Sequence, residues 1–552
     1  MPATWISRLP SPLATRECGA LRGVRVAIKD NIDVAGVPTT CGCPAFSQVP
    51  TAHAAVVQRL LDAGASILGK TNLDQFACGL NGTRSPYGEV ENAFDPAYIS
   101  GGSSSGSAVA VATGEADVAL GTDTAGSGRV PAAFNNVVGL KPSPGLVSTR
   151  GVVPASRSYD CVSIFAPTVD AALDVLATIA GPDARDPLSR DVAIDSRPMA
   201  PSFRFRIPAQ AQFFGDEMAQ RAFSDASAAL RALGGEPVAF DDAILAETAS
   251  WLYESALVAE RYHAIRAFFD AHERDVIEPV RAIIGAGRGR DAADLLEAQQ
   301  RLALRRGELA SFWDDVDCLV VPSAPTIYTR AAMRADPIAL NRHLGRYTNF
   351  VNLLGWAALA VPAAFRADGL PSGITLIGPA GSDWRLAALG QRFHHATGTR
   401  LGATERPLPP PRELAAPPGP TVRLAVVGAH LSGMPLHHEL ADRGARLVRT
   451  TTTAPRYRLF ALAGTQPPKP GLLRLADGEA GHAIEVEVWD MPTRHYGSFV
   501  AGVPGPLSIG TLALADGSQV QGFVCEAWAT TGAVDISDYG GWRRYRHATS
   551  AH

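Results

Sequence analysis

Three residues in the first quarter of the chain have the types and settings for acyl transfer: Lys29, Ser103 and Ser127. Lys29 closes an alternating apolar run in "VAIKDNID", Ser103 lies in "ISGGSSSGSAVAVATG" (residues 99–114), and Ser127 lies in "GTDTAGSGR". A serine hydroxyl is a weak nucleophile until an adjacent base takes its proton. A lysine can be that base only while neutral, so its ordinary value of about 10.4 must fall to about 7, and burial away from water lowers it. The "TAG" before Ser127 is small-residue backbone whose N–H groups can converge on a developing oxyanion. With no histidine in a comparable setting, these residues suggest a Ser–Ser–Lys arrangement.

The glycine-serine run admits other readings. As a linker it would be followed by polar sequence, whereas "SAVAVATG" has the small apolar residues of a tightly packed helix. As a phosphate loop it lacks the lysine that must reach the phosphates. "GSSSG" formally matches an esterase nucleophile turn with Ser104 at its centre, but that turn needs a strand directly before it, and "ENAFDPAY" is polar and interrupted by proline.

The positioning elements follow from periodicity. Val24, Val26 and Ile28 alternate as in a strand, and "AAVVQRLLDAGASILGK" reads as a helix ending at Gly64 followed by a strand. "DVALGTDT", "DCLVVPSAP" and "ALAVPAAF" read as short buried strands, and residues 212–312 carry helical spacing. Strands interleaved with helices predict an α/β layer fold around one large sheet. "RPLPPPRELAAPPGP" cannot be helix or central strand, because proline fixes φ and removes backbone donors. It divides the chain into a large domain over 1–405, a proline-rich linker over 406–420 and a small mainly-β or α+β domain over 421–552. In the small domain "ADGS" predicts a hairpin turn.

Composition narrows the function classes. The 552 residues are 46% hydrophobic and 19% charged, with a formal net charge of −4. Such a chain offers no basic surface for nucleic acid or an anionic membrane. The seven cysteines are sparse and odd in number, which predicts a reducing, cytoplasmic setting. "CGC" at Cys41 to Cys43 lacks a partner pair at metal-site spacing, so two small buried thiols and no metal are expected. The N-terminus has no continuous apolar segment of a signal peptide. The apolar window 351–365 is broken by Asn352, Gly355 and Pro362 and is shorter than the ~20 residues of a membrane span.

On "GGSSSGSAVAVATG", "GTDTAGSGR", "VVGLKPSPGLVSTRGVVP" and "AIKDNIDVAGVPTT", the chain strongly resembles the amidase signature family. The resemblance covers nearly all of residues 20–400. It implies a large mixed sheet covered by helices on both faces. Residue by residue, it implies Ser127 as acylated nucleophile, Ser103 as a bridging serine after a cis peptide bond, and Lys29 as general base. The backbone N–H groups of Thr124, Ala125 and Gly126, with that of Ser127, would form the oxyanion hole. Ser105 and Ala125 depart from the glycines that many members carry. The chain also begins close to Lys29, which leaves little of the family's N-terminal helical region, a possible dimer contact.

"VVGAHLSGMPLHHEL", "PPKPGLLRL" and "GFVCEAW" are similar to the C-terminal domain of the allophanate hydrolase family, which has a γ-glutamylcyclotransferase-like fold. "LYESALVAERY" resembles that family's substrate segment. The resemblance implies hydrolysis of allophanate to N-carboxycarbamate, then decarboxylation promoted by the small domain. It implies no metal or organic cofactor, a homodimer, and a functional link to a urea carboxylase. Holding a carboxylate calls for a bidentate guanidinium. Arg261 lies about two helical turns beyond Tyr253, so both can face one pocket as carboxylate clamp and hydrogen-bonding partner. Gly79 is a candidate to present backbone to the substrate amide. His430, in a glycine-flanked turn, is a candidate proton carrier in the small domain, with Glu526 a weaker one. An amidase acting on another small amide, with a structural C-terminal domain, is the alternative.

Overall fold

A computed structural model of the chain describes residues 3–550 apart from 17, 196, 198, 399, 418 and 477, and apart from the side chains of 494 and 550. The residues group into two units. The first comprises Met1–Ala14, Gly23–Leu61 and Ala65–Pro417, and the second Thr15–Arg22, Asp62–Gly64 and Pro418–His552.

The first unit is built on a sheet of eleven strands: β1 (Trp5–Leu13), β2 (Arg25–Lys29), β3 (Ser66–Thr71), β4 (Val118–Asp123), β5 (Val138–Lys141), β6 (Cys161–Ala166), β7 (Phe203–Pro208), β8 (Gly235–Phe240), β9 (Cys318–Pro322), β10 (Ala357–Pro362) and β11 (Gly373–Gly378). Their order is β1-β3-β2-β4-β6-β5-β10-β11-β9-β7-β8. The sheet is mixed. β2 runs parallel to β3 and β4, and β7 parallel to β8 and β9. The centre from β4 through β6, β5, β10 and β11 to β9 is antiparallel. The strands β4, β5, β6, β9 and β10 are buried at every position, which is why they read as continuous apolar runs rather than alternating ones.

The alanines and valines after the glycine-serine run form the helix Ser105–Ala112, buried along its whole length. Small residues are required there: a Cβ at Gly106 would lie 2.2 Å from the Thr4 carbonyl oxygen. The predicted helical stretch forms the helices Glu217–Ala232, Ala243–Glu254, Ala259–His272, Val280–Gly285 and Ala292–Glu308. Trp251, Leu252 and Leu257 from this region share one buried cluster with Phe312, Phe350 and Trp356.

The proline-rich segment has no regular structure, yet it is anchored: Trp384 Nε1 donates to Ala415 O at 2.8 Å, and Arg412 pairs with Asp174 at 2.8 Å. It therefore groups with the first unit as far as Pro417, whereas composition alone had the large domain ending at 405. Within the linker, Pro418 lies outside the described residues.

The second unit contains a five-stranded sheet in the order Arg446–Thr452, Glu485–Pro492, Thr421–Val426, Gln519–Cys525, Leu507–Ala513. The last two pair antiparallel with Ala513 opposite Gln519, so "ADGS" makes the hairpin turn. A three-stranded sheet and the helices Thr493–Ala501 and Trp542–Ser550 complete it, around a core that includes Leu424, Tyr457, Val488, Trp489 and Phe499. Among the described residues no helix is long and apolar enough to cross a membrane. All seven cysteines are free, with Cys41 and Cys43 buried.

Candidate active site

Lys29 stands at the C-terminal end of β2, the second of three parallel strands, and is fully buried. Its Nζ donates to Ser103 Oγ and to Thr122 Oγ1, each at 2.8 Å. Burial pushes the amine down to about 7, against the pull of Asp74, Asp160 and Asp123. The removal from water outweighs three carboxylates because none of them forms an ion pair with Nζ.

Ser103 follows a cis peptide bond from Gly102. Its carbonyl accepts from the Asp74 N–H at 3.1 Å. Asp74 also gathers the N–H groups of Asn81, Gly82 and Arg84 on its carboxylate. A Cβ at Gly102 would lie 2.2 Å from Asp74 Oδ2, so only glycine fits beside the serine. Two other serines of the run brace the sheet. Ser104 Oγ donates to Thr122 O at 3.1 Å and Ser107 Oγ to Leu120 O at 2.9 Å, both on β4. Ser104, the formal esterase match, is thus committed to sheet backbone, while Ser103 meets the lysine.

Ser127 lies between β4 and the helix Val130–Phe134 and is 3% exposed. Its hydroxyl has no hydrogen bond among the described residues. The loop that presents it is folded around Asp123, whose carboxylate accepts from Gly126 N, Gly128 N, Arg129 Nε and Arg129 Nη2, each at 2.9 Å. Burial opposes ionisation of Asp123, but the Arg129 guanidinium and these donors outweigh it and hold its pKa below the ordinary carboxylate value. Thr348 Oγ1 donates to Ala125 O at 2.6 Å. Gly126 has φ +129° and would place a Cβ 2.4 Å from Thr348 Oγ1, so glycine is required there on two counts.

One expectation needs correction. The Gly126 N–H is spent on Asp123, so it is not a free oxyanion donor; the N–H groups of Thr124, Ala125 and Ser127 have no acceptor among the described residues. Asp123 and Arg129 were missed in the sequence, although they flank Ser127 within "GTDTAGSGR". Asp123→Ala leaves Arg129 buried and unpaired. It should cost about 3–5 kcal/mol, read as a lowered midpoint in urea unfolding.

Tyr253 and Arg261 do come together. Arg261 Nη2 donates to Tyr253 OH at 3.1 Å, and its guanidinium carbon lies 5.0 Å from the Tyr253 ring centroid. They do not share one helix: Ala243–Glu254 ends just after Tyr253, a 3-10 turn Ala256–Val258 intervenes, and Ala259–His272 carries Arg261. The break is made by Ser255, whose side chain accepts from Leu257 N. Arg261 is 3% exposed, and its Nε and Nη1 are buried without a hydrogen-bond partner. Two unsatisfied donors on a buried cation are costly unless an acceptor arrives.

Asp160 was also missed. It accepts from Thr124 Oγ1 and from the Ala155 and Ser156 N–H groups. Burial raises it to about 6, against these donors and Arg261. At Gly79 the structure shows close packing: a Cβ there would lie 2.5 Å from Asp74 Oδ2.

In the second unit His430 occupies the turn after Thr421–Val426. Its Nε2 is 3.1 Å from Glu439 Oε2, and its ring stacks on Phe523 with centroids 5.0 Å apart. Burial holds His430 below the ordinary histidine value despite Glu439. It lines a cavity of about 260 Å³ together with Glu439, Lys469 and Phe523. Glu526 is exposed, pairs with Trp528 Nε1, and is not among the lining residues; Glu439 and Lys469 supply the charges there.

Comparison with known proteins agrees with this division. Residues 5–387 match the family model "Amidase", and residues 422–547 match "Allophanate hydrolase C-terminal domain". The chain is 43% identical to the urea amidolyase of Saccharomyces cerevisiae over 546 residues, 96% of this chain. It spans about 30% of the length of the urea amidolyases it matches. The structure of Kluyveromyces lactis allophanate hydrolase is similar at 41% identity and a TM-score of 0.73, over 99% of this chain and 94% of that one. A glutamyl-tRNA(Gln) amidotransferase relative from Halobacterium salinarum is 34% identical over 65% of this chain and 92% of its own length.

Proposed function

Since the chain belongs to the amidase family and carries an allophanate hydrolase C-terminal domain, we propose that it hydrolyses allophanate through Ser127, Ser103 and Lys29. The observation that carries the substrate is Arg261, a buried guanidinium beside Tyr253 with two unpaired N–H donors. Allophanate offers a carboxylate to satisfy them and, one N–H away, a terminal carboxamide for the nucleophile.

Neutral Lys29 takes a proton through Ser103 from Ser127, and Ser127 Oγ attacks the terminal carbonyl. The oxyanion forms against the N–H groups of Thr124, Ala125 and Ser127. The C–N bond breaks, and ammonia leaves with the relayed proton. Water, deprotonated by the same relay, then cleaves the acyl-enzyme and releases N-carboxycarbamate. Gly79 is proposed to border the amide with its backbone. No step needs a cofactor or metal.

N-carboxycarbamate loses carbon dioxide to give carbamate, which yields ammonia and a second carbon dioxide. We assign the first loss to the His430 cavity, where Lys469 can hold a carboxylate and His430 can deliver the proton to nitrogen. His430→Ala should leave the first ammonia release intact and accumulate N-carboxycarbamate, followed by ¹³C NMR. A product pattern identical to wild type would make this domain structural.

The direct test of the whole reading is ammonia release from allophanate by the purified chain. Turnover of simple aryl or aliphatic amides without action on allophanate would sink it. Allophanate is a carboxylated urea, so a urea-carboxylating reaction is proposed as its source. The free cysteines fit a reducing compartment. A homodimer is the proposed assembly, checked by light scattering.

A further inference from the structure

Two parts of the site come from distant segments. The oxyanion loop follows β4, and the carboxylate clamp sits on Ala259–His272. Between them lies the turn 155–160, braced on itself by Tyr159 N and Asp160 N donating to Ser156 O at 2.9 and 3.0 Å. On one side Asp160 accepts from the Thr124 hydroxyl. Its carboxylate also accepts from Ala155 N at 2.8 Å, so it is fixed in the turn as well. On the other side Glu260 Oε2 accepts from Ser156 Oγ and from Ser158 N, each at 3.0 Å. Glu260 is the residue directly before Arg261. A further tie comes from Asn352, whose Nδ2 donates to Asp123 O at 2.7 Å and to Tyr159 O at 3.0 Å. A hydrogen-bonded path thus runs from Thr124 through Asp160 and Ser156 to Glu260, and the chain itself carries it on to the clamp at Arg261.

We infer that the turn 155–160 is a specificity-determining link, in which Asp160, Ser156 and Glu260 act as positioning residues that hold the carboxylate clamp and the oxyanion loop in one register. The inference rests on the reading of Arg261 as carboxylate clamp. A substrate seated by its carboxylate on Arg261 has its carbonyl delivered to the oxyanion loop only if the distance between the two is fixed. Misplacement by about 1 Å is enough to lose some 10²-fold in rate. A neutral amide can accept from Arg261 only through its carbonyl oxygen, without the charge-assisted bidentate pair, so its rate depends far less on that distance. The link therefore favours carboxylated amides without touching them.

The test compares allophanate with biuret, the same skeleton with a carboxamide in place of the carboxylate. Ser156→Ala removes one hydroxyl in the middle of the path. Glu260→Ala removes the half-buried acceptor at its end and serves if the buried position does not tolerate change. Each should lower kcat on allophanate at least about 10-fold with KM within about threefold, because the carboxylate still binds Arg261. Each should leave biuret turnover within about threefold of wild type. Ser156→Thr and Glu260→Gln, which keep the hydroxyl and an acceptor, should restore the ratio of kcat/KM between the two substrates. Equal losses on both substrates, or no loss on either, would overturn the link. If wild type released no ammonia from allophanate, the substrate reading would fail on that control alone. The link would then be read as the same ratio on malonamate against malonamide.

Discussion

Lys29→Met is expected to lower kcat/KM by about 10³-fold, within the range for loss of a general base, while the protein stays folded. The substitution keeps the length of the side chain in a site with no exposure, and it removes the amine that donates to Ser103. The pH profile is the sharper readout. Lys29 is held near 7 by burial, with Asp74, Asp160, Asp123 and Cys41 as the ionisable groups around it. The amine is neutral above that value and protonated below it. Wild-type kcat/KM should therefore be level above about pH 7 and fall tenfold per pH unit below it. Protonation of Asp160, raised to about 6, weakens its acceptance from Thr124 Oγ1 and from the Ala155 and Ser156 N–H groups, so the slope should steepen below about 6. In Lys29→Met the break near 7 should vanish while the lower one remains. Labelling of Ser127 by a fluorophosphonate reports the same ionisation without any assumption about substrate. A labelling rate that ignores pH between 6 and 8 would remove Lys29 from the role of base.

The parts of this site that were legible in the sequence are those whose signal is local. The alternation Val24, Val26, Ile28 marks a strand by its period of two, and Lys29 is placed at its end by the same count. The small residues around Ser103 and Ser127 are demanded by backbone packing. Each is answered by a clash that a Cβ would cause, at Gly102 against Asp74 and at Gly126 against Thr348. What was not legible depends on contacts between distant segments. Thr122 meets Lys29 across 93 residues, and Asp160 meets Thr124 across 36. Nothing in "SYDCVSIFA" distinguishes that aspartate from a surface one. Of the four N–H groups expected to face the oxyanion, that of Gly126 alone is engaged elsewhere, because which peptide turns toward Asp123 is settled by Arg129 and Thr348 together. The interrupted helix before Arg261 had a local signal, Ser255. It was outweighed by a helical count that places Tyr253 and Arg261 on one face anyway. Two routes lead to the same pairing, so the two side chains meet as expected, although the helix expected to carry both does not exist as one piece.

Arg261 carries the second large effect. Arg261→Ala should reduce kcat/KM on allophanate by about 10²- to 10³-fold, the range for truncating one member of a buried charge-assisted pair. Most of that loss should appear in KM, since the carboxylate is bound in the ground state as well as in the transition state. The free enzyme should respond in the opposite direction. Arg261 sits buried with Nε and Nη1 unsatisfied, and removing such a group removes a desolvation cost. The variant is therefore expected to be at least as stable as wild type toward urea in the absence of ligand. Malonate, a dicarboxylate of the same length as the substrate, should stabilise wild type and leave the variant unchanged. Arg261→Lys should not restore activity: an ammonium is a point charge without the planar fork that pairs both oxygens of a carboxylate and packs against the Tyr253 ring. Tyr253→Phe keeps that packing and loses only the hydroxyl, so its loss should be smaller, about 10-fold. Loss of stability together with loss of activity in Arg261→Ala would make this arginine a structural pillar. Gain of stability with loss of malonate binding identifies it as a site built for an anion and held at the protein's own cost until one arrives.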